Sequence, residues 1–158
     1  MTKRERGSVT KLYLEDLFEG QRFTSGRHRI EEADIHRFAR EYDPQPFHLD
    51  AEAAKTTLFA GLAASGWHTA AITMRLTVDS DFSLAGGIIG AGFDELNWPR
   101  PVRPGDELHL LIEVVEIRPS RSKPDRGMVK VRTTTLNQND EPVQVHVGNL
   151  VVQRRSTN

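Results

Sequence analysis

Apolar and polar positions change period along this chain, giving a helical first half and a stranded second half. From Glu31 onward, Ile35, Phe38, Ala39 and Tyr42 recur at i, i+3, i+4 and i+7, one stripe of an amphipathic helix. Glu31, Glu32 and Asp34 put negative charge in its first turn, where the macrodipole is positive, and Pro44 ends it. Asp50 is placed to cap a second short helix, Ala51 to Thr57. Ser65-Gly66 opens a third, running from Trp67 to Val78. There Trp67, Ala70, Ala71, Met74 and Val78 form one stripe, and Ile72 and Leu76 occupy another side. A helix apolar over most of its circumference is expected to be buried over most of it.

After Gly86-Gly87 the period falls to two. Ile88 to Trp98 is a strand candidate, loosened by Gly90 and Gly92 and closed by Pro99-Arg100-Pro101. Behind the turn Pro104-Gly105-Asp106, three runs alternate: Leu108, Leu110, Ile112 and Val114; Val129, Val131, Thr133 and Thr135; Val143, Val145, Val147 and Val151. They predict an antiparallel meander with one buried face. Upstream, Leu12 to Gly20 reads as a short entry segment and Gln21 to Ile30 as an edge strand interrupted by Gly26. Helices first and strands later, without βαβ alternation, is an α+β layout: a curved antiparallel sheet of about five strands around one buried helix. Such a sheet has two edges, and pairing with a second copy covers them, so a homodimer is expected.

Composition narrows the function classes. With 158 residues, 37% hydrophobic and 27% charged, the chain suits one globular domain, residues 11–154, between a flexible tail at 1–10 and a short tail at 155–158. Lys3, Arg4 and Arg6 have no apolar run behind them, and nothing approaches the ~18 apolar residues of a membrane span. A formal net charge of −1 gives no footprint for nucleic acid. The absence of cysteine removes disulfides, thiolate nucleophiles and Cys-ligated metals, and fits a cytoplasmic location. His28, His36, His68, His109 and His146 fall in no metal-ligand spacing, and no G-x-S-x-G elbow surrounds a serine, so neither a metal site nor a serine hydrolase is expected.

The polar chemistry concentrates in Tyr42-Asp43-Pro44-Gln45-Pro46-Phe47-His48-Leu49-Asp50. Two prolines are expected to keep this stretch out of helix and hold Asp43 and His48 at its two ends. Taken singly, Asp43 before Pro44 is more often a turn residue, and His48 more often a half-buried, hydrogen-bonded imidazole. Their spacing in a stiff loop, followed by a helix start at Ser65-Gly66, shifts the balance to a pair that works on one proton or one water. Asp50 is assigned to N-capping. The basic link Arg118 to Arg126 reads as a solvated loop; its alternative use, shared with Arg100 and Arg103, is pairing with phosphates.

That nine-residue stretch resembles the D-x-N-P-x-H-x-D motif of the MaoC-like dehydratases and (R)-specific enoyl-CoA hydratases. The resemblance continues at Ser65-Gly66, where the family usually has His-Gly before its central helix. It continues again at Pro101-Val102-Arg103-Pro104-Gly105-Asp106, similar to the family's P-V-x-x-G-D turn. Three matches in order are more specific than one. The resemblance implies a single hot-dog domain, a dimer of such domains, and reversible addition of water to a trans-2-enoyl thioester giving the (R)-3-hydroxyacyl product. It implies no metal or redox cofactor; coenzyme A, or an acyl carrier protein, enters as part of the substrate. Asp43 and His48 would hold the water, with the roles of base and acid left open. The Gly66 N–H would bind the thioester oxygen, and Ser65, Pro46 and Phe47 would contact substrate. Three positions depart from the family pattern: Ser65 for histidine, Met74 for a helical serine that helps orient the aspartate, and Gln45 for asparagine. Two alternatives stay open, a hot-dog acyl-CoA thioesterase and a non-catalytic acyl-CoA-binding subunit.

Overall fold

A computed structural model describes residues 10–156; residues 1–9 and 157–158, most of the two expected tails, lie outside the described residues. A 3-10 turn at Leu14–Asp16 leads into β1 (Arg22–Thr24) and β2 (His28–Arg29). Four helices follow, α1 (Glu32–Tyr42), α2 (Pro46–Leu49), α3 (Ala51–Ala54) and α4 (Gly66–Val78). Then come the long strands β3 (Ile89–Asn97), β4 (Glu107–Pro119), β5 (Arg126–Leu136) and β6 (Pro142–Gln153). The antiparallel sheet runs β1-β4-β5-β6-β3, with β2 also on β4, and α4 packs against β4 and β6. This is an α+β hot-dog arrangement. Six strands replace the expected five because the first one breaks at Ser25. The Ser25 hydroxyl accepts the Leu110 N–H at 2.8 Å and so fills the gap between the two short strands.

The interior is built where the period-2 runs place it. Leu108, Leu110, Ile112 and Val114 from β4 and Val129 and Val131 from β5 meet Ile72 and Leu76 of α4, with Ile35 of α1 closing the cluster. Ile35, Leu108, Ile112 and Val114 are completely buried, each contributing about 1.5–3 kcal/mol by leaving water. Arg155 is tied down rather than loose: its guanidinium grips both oxygens of Asp16 at 2.7 and 2.8 Å.

Three expectations are corrected. The stretch between the prolines is not extended throughout, because Pro46 occupies the first position of the one-turn helix α2. There its missing N–H costs nothing and its fixed φ suits the helix. The valine run of β6 divides: Val143 is fully buried in the core, whereas Val145 and Val147 pair with Thr134 and Arg132, and Gln144, His146 and Gly148 pair with Thr135, Thr133 and Val131 of the inner face. The inner face of β6 is therefore polar at its Gln144–His146 end and apolar at Leu150 and Val152. Finally, α4 buries a different side from the stripe expected. Trp67, Met74 and Val78 are 59%, 49% and 56% exposed, while Thr69, Ile72, Thr73, Leu76 and Thr77 are buried. Threonine burial is tolerable because Thr73 and Thr77 donate to the carbonyls four residues back at 2.9 and 2.8 Å. Among the described residues, no helix is long and apolar enough to cross a membrane.

Candidate active site

The double-proline segment and the start of α4 face each other, and the local folding explains why. Asp43 is the C-terminal cap of α1, its N–H bonded to the Ala39 carbonyl. Asp50, accepting the N–H groups of Glu52 and Ala53, caps α3. Between these anchors α2 turns His48 inward, where it is 4% exposed.

His48 Nδ1 lies 2.6 Å from the Ala63 carbonyl oxygen. A carbonyl only accepts, so Nδ1 carries a hydrogen. The opposite nitrogen, Nε2, sits 3.2 Å from Asp43 Oδ2. A proton between the two atoms makes this contact a hydrogen bond. The same Oδ2 accepts the Ser65 hydroxyl at 2.7 Å, and Oδ1 accepts the Gln45 amide. Burial is the largest single influence on Asp43 and pushes its pKa up. The Ser65 hydroxyl, the Gln45 amide and the His48 charge together outweigh it and hold the group below the ordinary carboxylate value.

Ser65 has a second consequence. It occupies the N-cap of α4, but its hydroxyl is committed to Asp43 and caps nothing. Its carbonyl takes the N–H groups of His68 and Thr69. The N–H groups of Gly66 and Trp67 are left without intrahelical acceptors, at the positive end of the helix dipole. His48, Gly66, Thr69, Trp98 and Val102 line one cavity of about 330 Å³. His48, in contact with Asp43, and the start of α4 thus border the same space, an arrangement that could move a proton beside a group that develops negative charge.

The substrate contacts expected from sequence divide. Ser65 is 1% exposed and holds Asp43. Pro46 is exposed at the start of α2, and Phe47 packs edge-on against His48 and beside Phe59; neither lines the cavity. Met74 lines a separate cavity and is not among the hydrogen-bond partners of Asp43; Ser65 and Gln45 hold that carboxylate. Arg103 is held by the protein itself, its guanidinium donating to the carbonyls of Phe59 and Leu62, and Arg100 pairs with Glu141 at 3.0 Å. In the basic link, Arg118 and Arg126 pair with Glu116 and Asp125.

Sequence reasoning missed Trp98, the Ala63 carbonyl and the pair Gln144–His146. Trp98 lies against Gly66 so closely that a Cβ there would come within 2.6 Å of the indole. The available signal was the aromatic residue ending a strand immediately before Pro99; a backbone carbonyl leaves none.

The family model described as MaoC like domain matches residues 17–137. The chain belongs to the MaoC-like family. An uncharacterized protein, YdeM of Bacillus subtilis, is 35% identical over 139 residues, covering 88% of this chain and 96% of that one. The crystal structure of a MaoC-like dehydratase from Rhodospirillum rubrum is 61% identical with a TM-score of 0.90, covering 92% of this chain and 99% of that one. The unliganded R-hydratase PhaJ1 from Pseudomonas aeruginosa is 27% identical with a TM-score of 0.74, covering 92% and 88%. These likenesses place this MaoC-like chain in a hydratase and dehydratase family.

Proposed function

We propose that this MaoC-like protein is a hydro-lyase that reversibly adds water to a trans-2-enoyl thioester, giving the (R)-3-hydroxyacyl thioester. The placement of His48 and the start of α4 at Gly66 on one cavity, with Asp43 against His48 Nε2, carries the reading. In the hydration direction the Asp43 carboxylate takes a proton from water as its oxygen bonds to Cβ. The Cα–Cβ π electrons move toward the thioester carbonyl, whose growing charge is met by the uncapped N–H groups of α4. Protonated His48 then delivers the Nε2 proton to Cα. Proton passage from Asp43 to His48 across their 3.2 Å contact restores the pair. The depressed pKa of Asp43 supports its assignment as the ionised partner. Coenzyme A or an acyl carrier protein would be the thioester carrier, with no metal or redox cofactor needed for these steps.

The assembly proposed is a homodimer joined through β3. That edge strand is exposed along almost its whole length, with Ile89 and Phe93 48% and 64% exposed beside the open Trp67 and Met74. Apolar groups on an unpaired edge are a surface that a second copy covers. The activity is tested by following the enoyl-thioester absorbance with crotonyl-CoA and longer enoyl-CoA esters. Loss of absorbance with formation of the (R)-hydroxy product is expected. No change with any chain length would overturn the reading. Release of free thiol instead would assign a thioesterase.

A further inference from the structure

A second cavity, about 290 Å³, lies between α4 and the inner face of β6 and β3. Its lining is mostly apolar, with Trp67, Met74, Phe93 and Leu96 among its walls, and Gln144 and His146 supply polar groups. The first turns of α4 border both cavities: Gly66 and Thr69 line the one with His48, and Trp67, Ala70 and Thr73 line the other. The Trp98 indole stands at that boundary. It lines the His48 cavity, rests on the Cα face of Gly66, and meets the Trp67 ring edge to face at 5.2 Å.

Its position is fixed by a hydrogen-bonded string. Trp98 Nε1 can only donate, and it lies 2.9 Å from Gln144 Oε1. This sets the orientation of the amide and turns the Gln144 NH₂ toward His146 Nδ1, 3.2 Å away. That nitrogen must then be an unprotonated acceptor, and burial, which lowers the His146 pKa, keeps it so. A string with only one consistent donor–acceptor assignment holds the indole in one place.

We propose that Trp98, latched by Gln144, sets the acyl length this enzyme accepts. Short enoyl chains fit the His48 cavity with the indole closed; longer chains enter the apolar cavity only when the indole swings away from Gly66. The proposal rests on the hydratase reading, and its tests separate the two. Hydration rates are compared for crotonyl-CoA and trans-2-octenoyl-CoA in the wild type, Trp98→Ala and Gln144→Leu. Opening the boundary raises the ratio of kcat/KM for the longer over the shorter ester by about tenfold or more in Trp98→Ala, and by less in Gln144→Leu, which frees the ring but keeps it. Trp98→Phe, which keeps the bulk and loses the latch, falls with Gln144→Leu. An unchanged ratio in folded Trp98→Ala overturns the proposal; where that variant does not fold, an unchanged ratio in Gln144→Leu does. The chain has two tryptophans, so Trp67→Phe leaves Trp98 as the single reporter. Its fluorescence should shift on binding saturated octanoyl-CoA and not on binding acetyl-CoA, whether or not the protein hydrates anything. An identical response to both esters contradicts the gate. Absence of hydration in the wild type, with the fluorescence difference intact, removes the hydratase reading and leaves the gate.

Discussion

Replacing Gly66 by alanine tests the tightest contact at the site. The backbone there is ordinary helix, so alanine is not disfavoured by φ; the obstacle is Trp98. A Cβ would lie 2.6, 2.8 and 2.9 Å from three atoms of the indole. Carbon atoms in contact sit about 3.5 Å apart or more, so the ring must withdraw by about 1 Å. That movement takes Nε1 out of reach of Gln144, now 2.9 Å away, and forfeits about 0.5–1.5 kcal/mol. Crowding adds about 1–3 kcal/mol. Lower unfolded-state entropy returns about 0.4–1 kcal/mol. The net is about 2 kcal/mol of destabilisation, a fall in Tm of about 4–8 °C for a chain of this size. Measured in a Trp98→Ala background, where the obstacle is gone, the same substitution should be neutral or slightly stabilising. An equal loss in both backgrounds, read from thermal or urea unfolding, would refute the steric explanation of this glycine.

Other outcomes follow from the same contacts. Ser65→Ala removes the donor that most lowers Asp43, so the acid limb of the kcat/KM profile should move to higher pH. Because folding lowers the Asp43 pKa, its ionised form stabilises the protein above the unfolded-state value, and this is lost as pH falls through the folded-state value; the stability gap between Ser65→Ala and wild type should therefore narrow on acidification. Arg103→Ala leaves the Phe59 and Leu62 carbonyls without their guanidinium partner and should cost about 1–3 kcal/mol in urea unfolding, with Arg103→Lys recovering little because one ammonium cannot span both. Phe93→Asp places a charge on the open β3 edge and should shift the sedimentation profile from dimer to monomer.

How far the sequence reaches depends on whether a residue's role is local. The α1 stripe and the β4 and β5 alternation are local periodicities, and Ile35, Leu108, Ile112 and Val129 are buried as the pattern requires. Asp50 capping is equally local, set by free N–H groups two and three residues on. The face of β6 is not. Its valines and its Gln144–His146 pair alternate equally well, and only pairing with β5 and the approach of Trp98 decide which side turns inward. The same holds for α4, where threonines are buried because their hydroxyls find backbone acceptors on their own helix, something hydrophobic periodicity does not register. At the site, Asp43, His48 and Gly66 were legible as residue types in a spacing, whereas the Ala63 carbonyl that fixes the His48 tautomer has no side-chain signature.

The paired action of Asp43 and His48 is tested most directly by the stereochemistry and rate of crotonyl-CoA hydration in the wild type, Asp43→Asn and His48→Ala. The wild type should form the (R)-3-hydroxy product, and each variant should lose about a hundredfold or more in kcat while remaining folded. Wild-type hydration that survives undiminished in either folded variant would contradict the assignment of this pair.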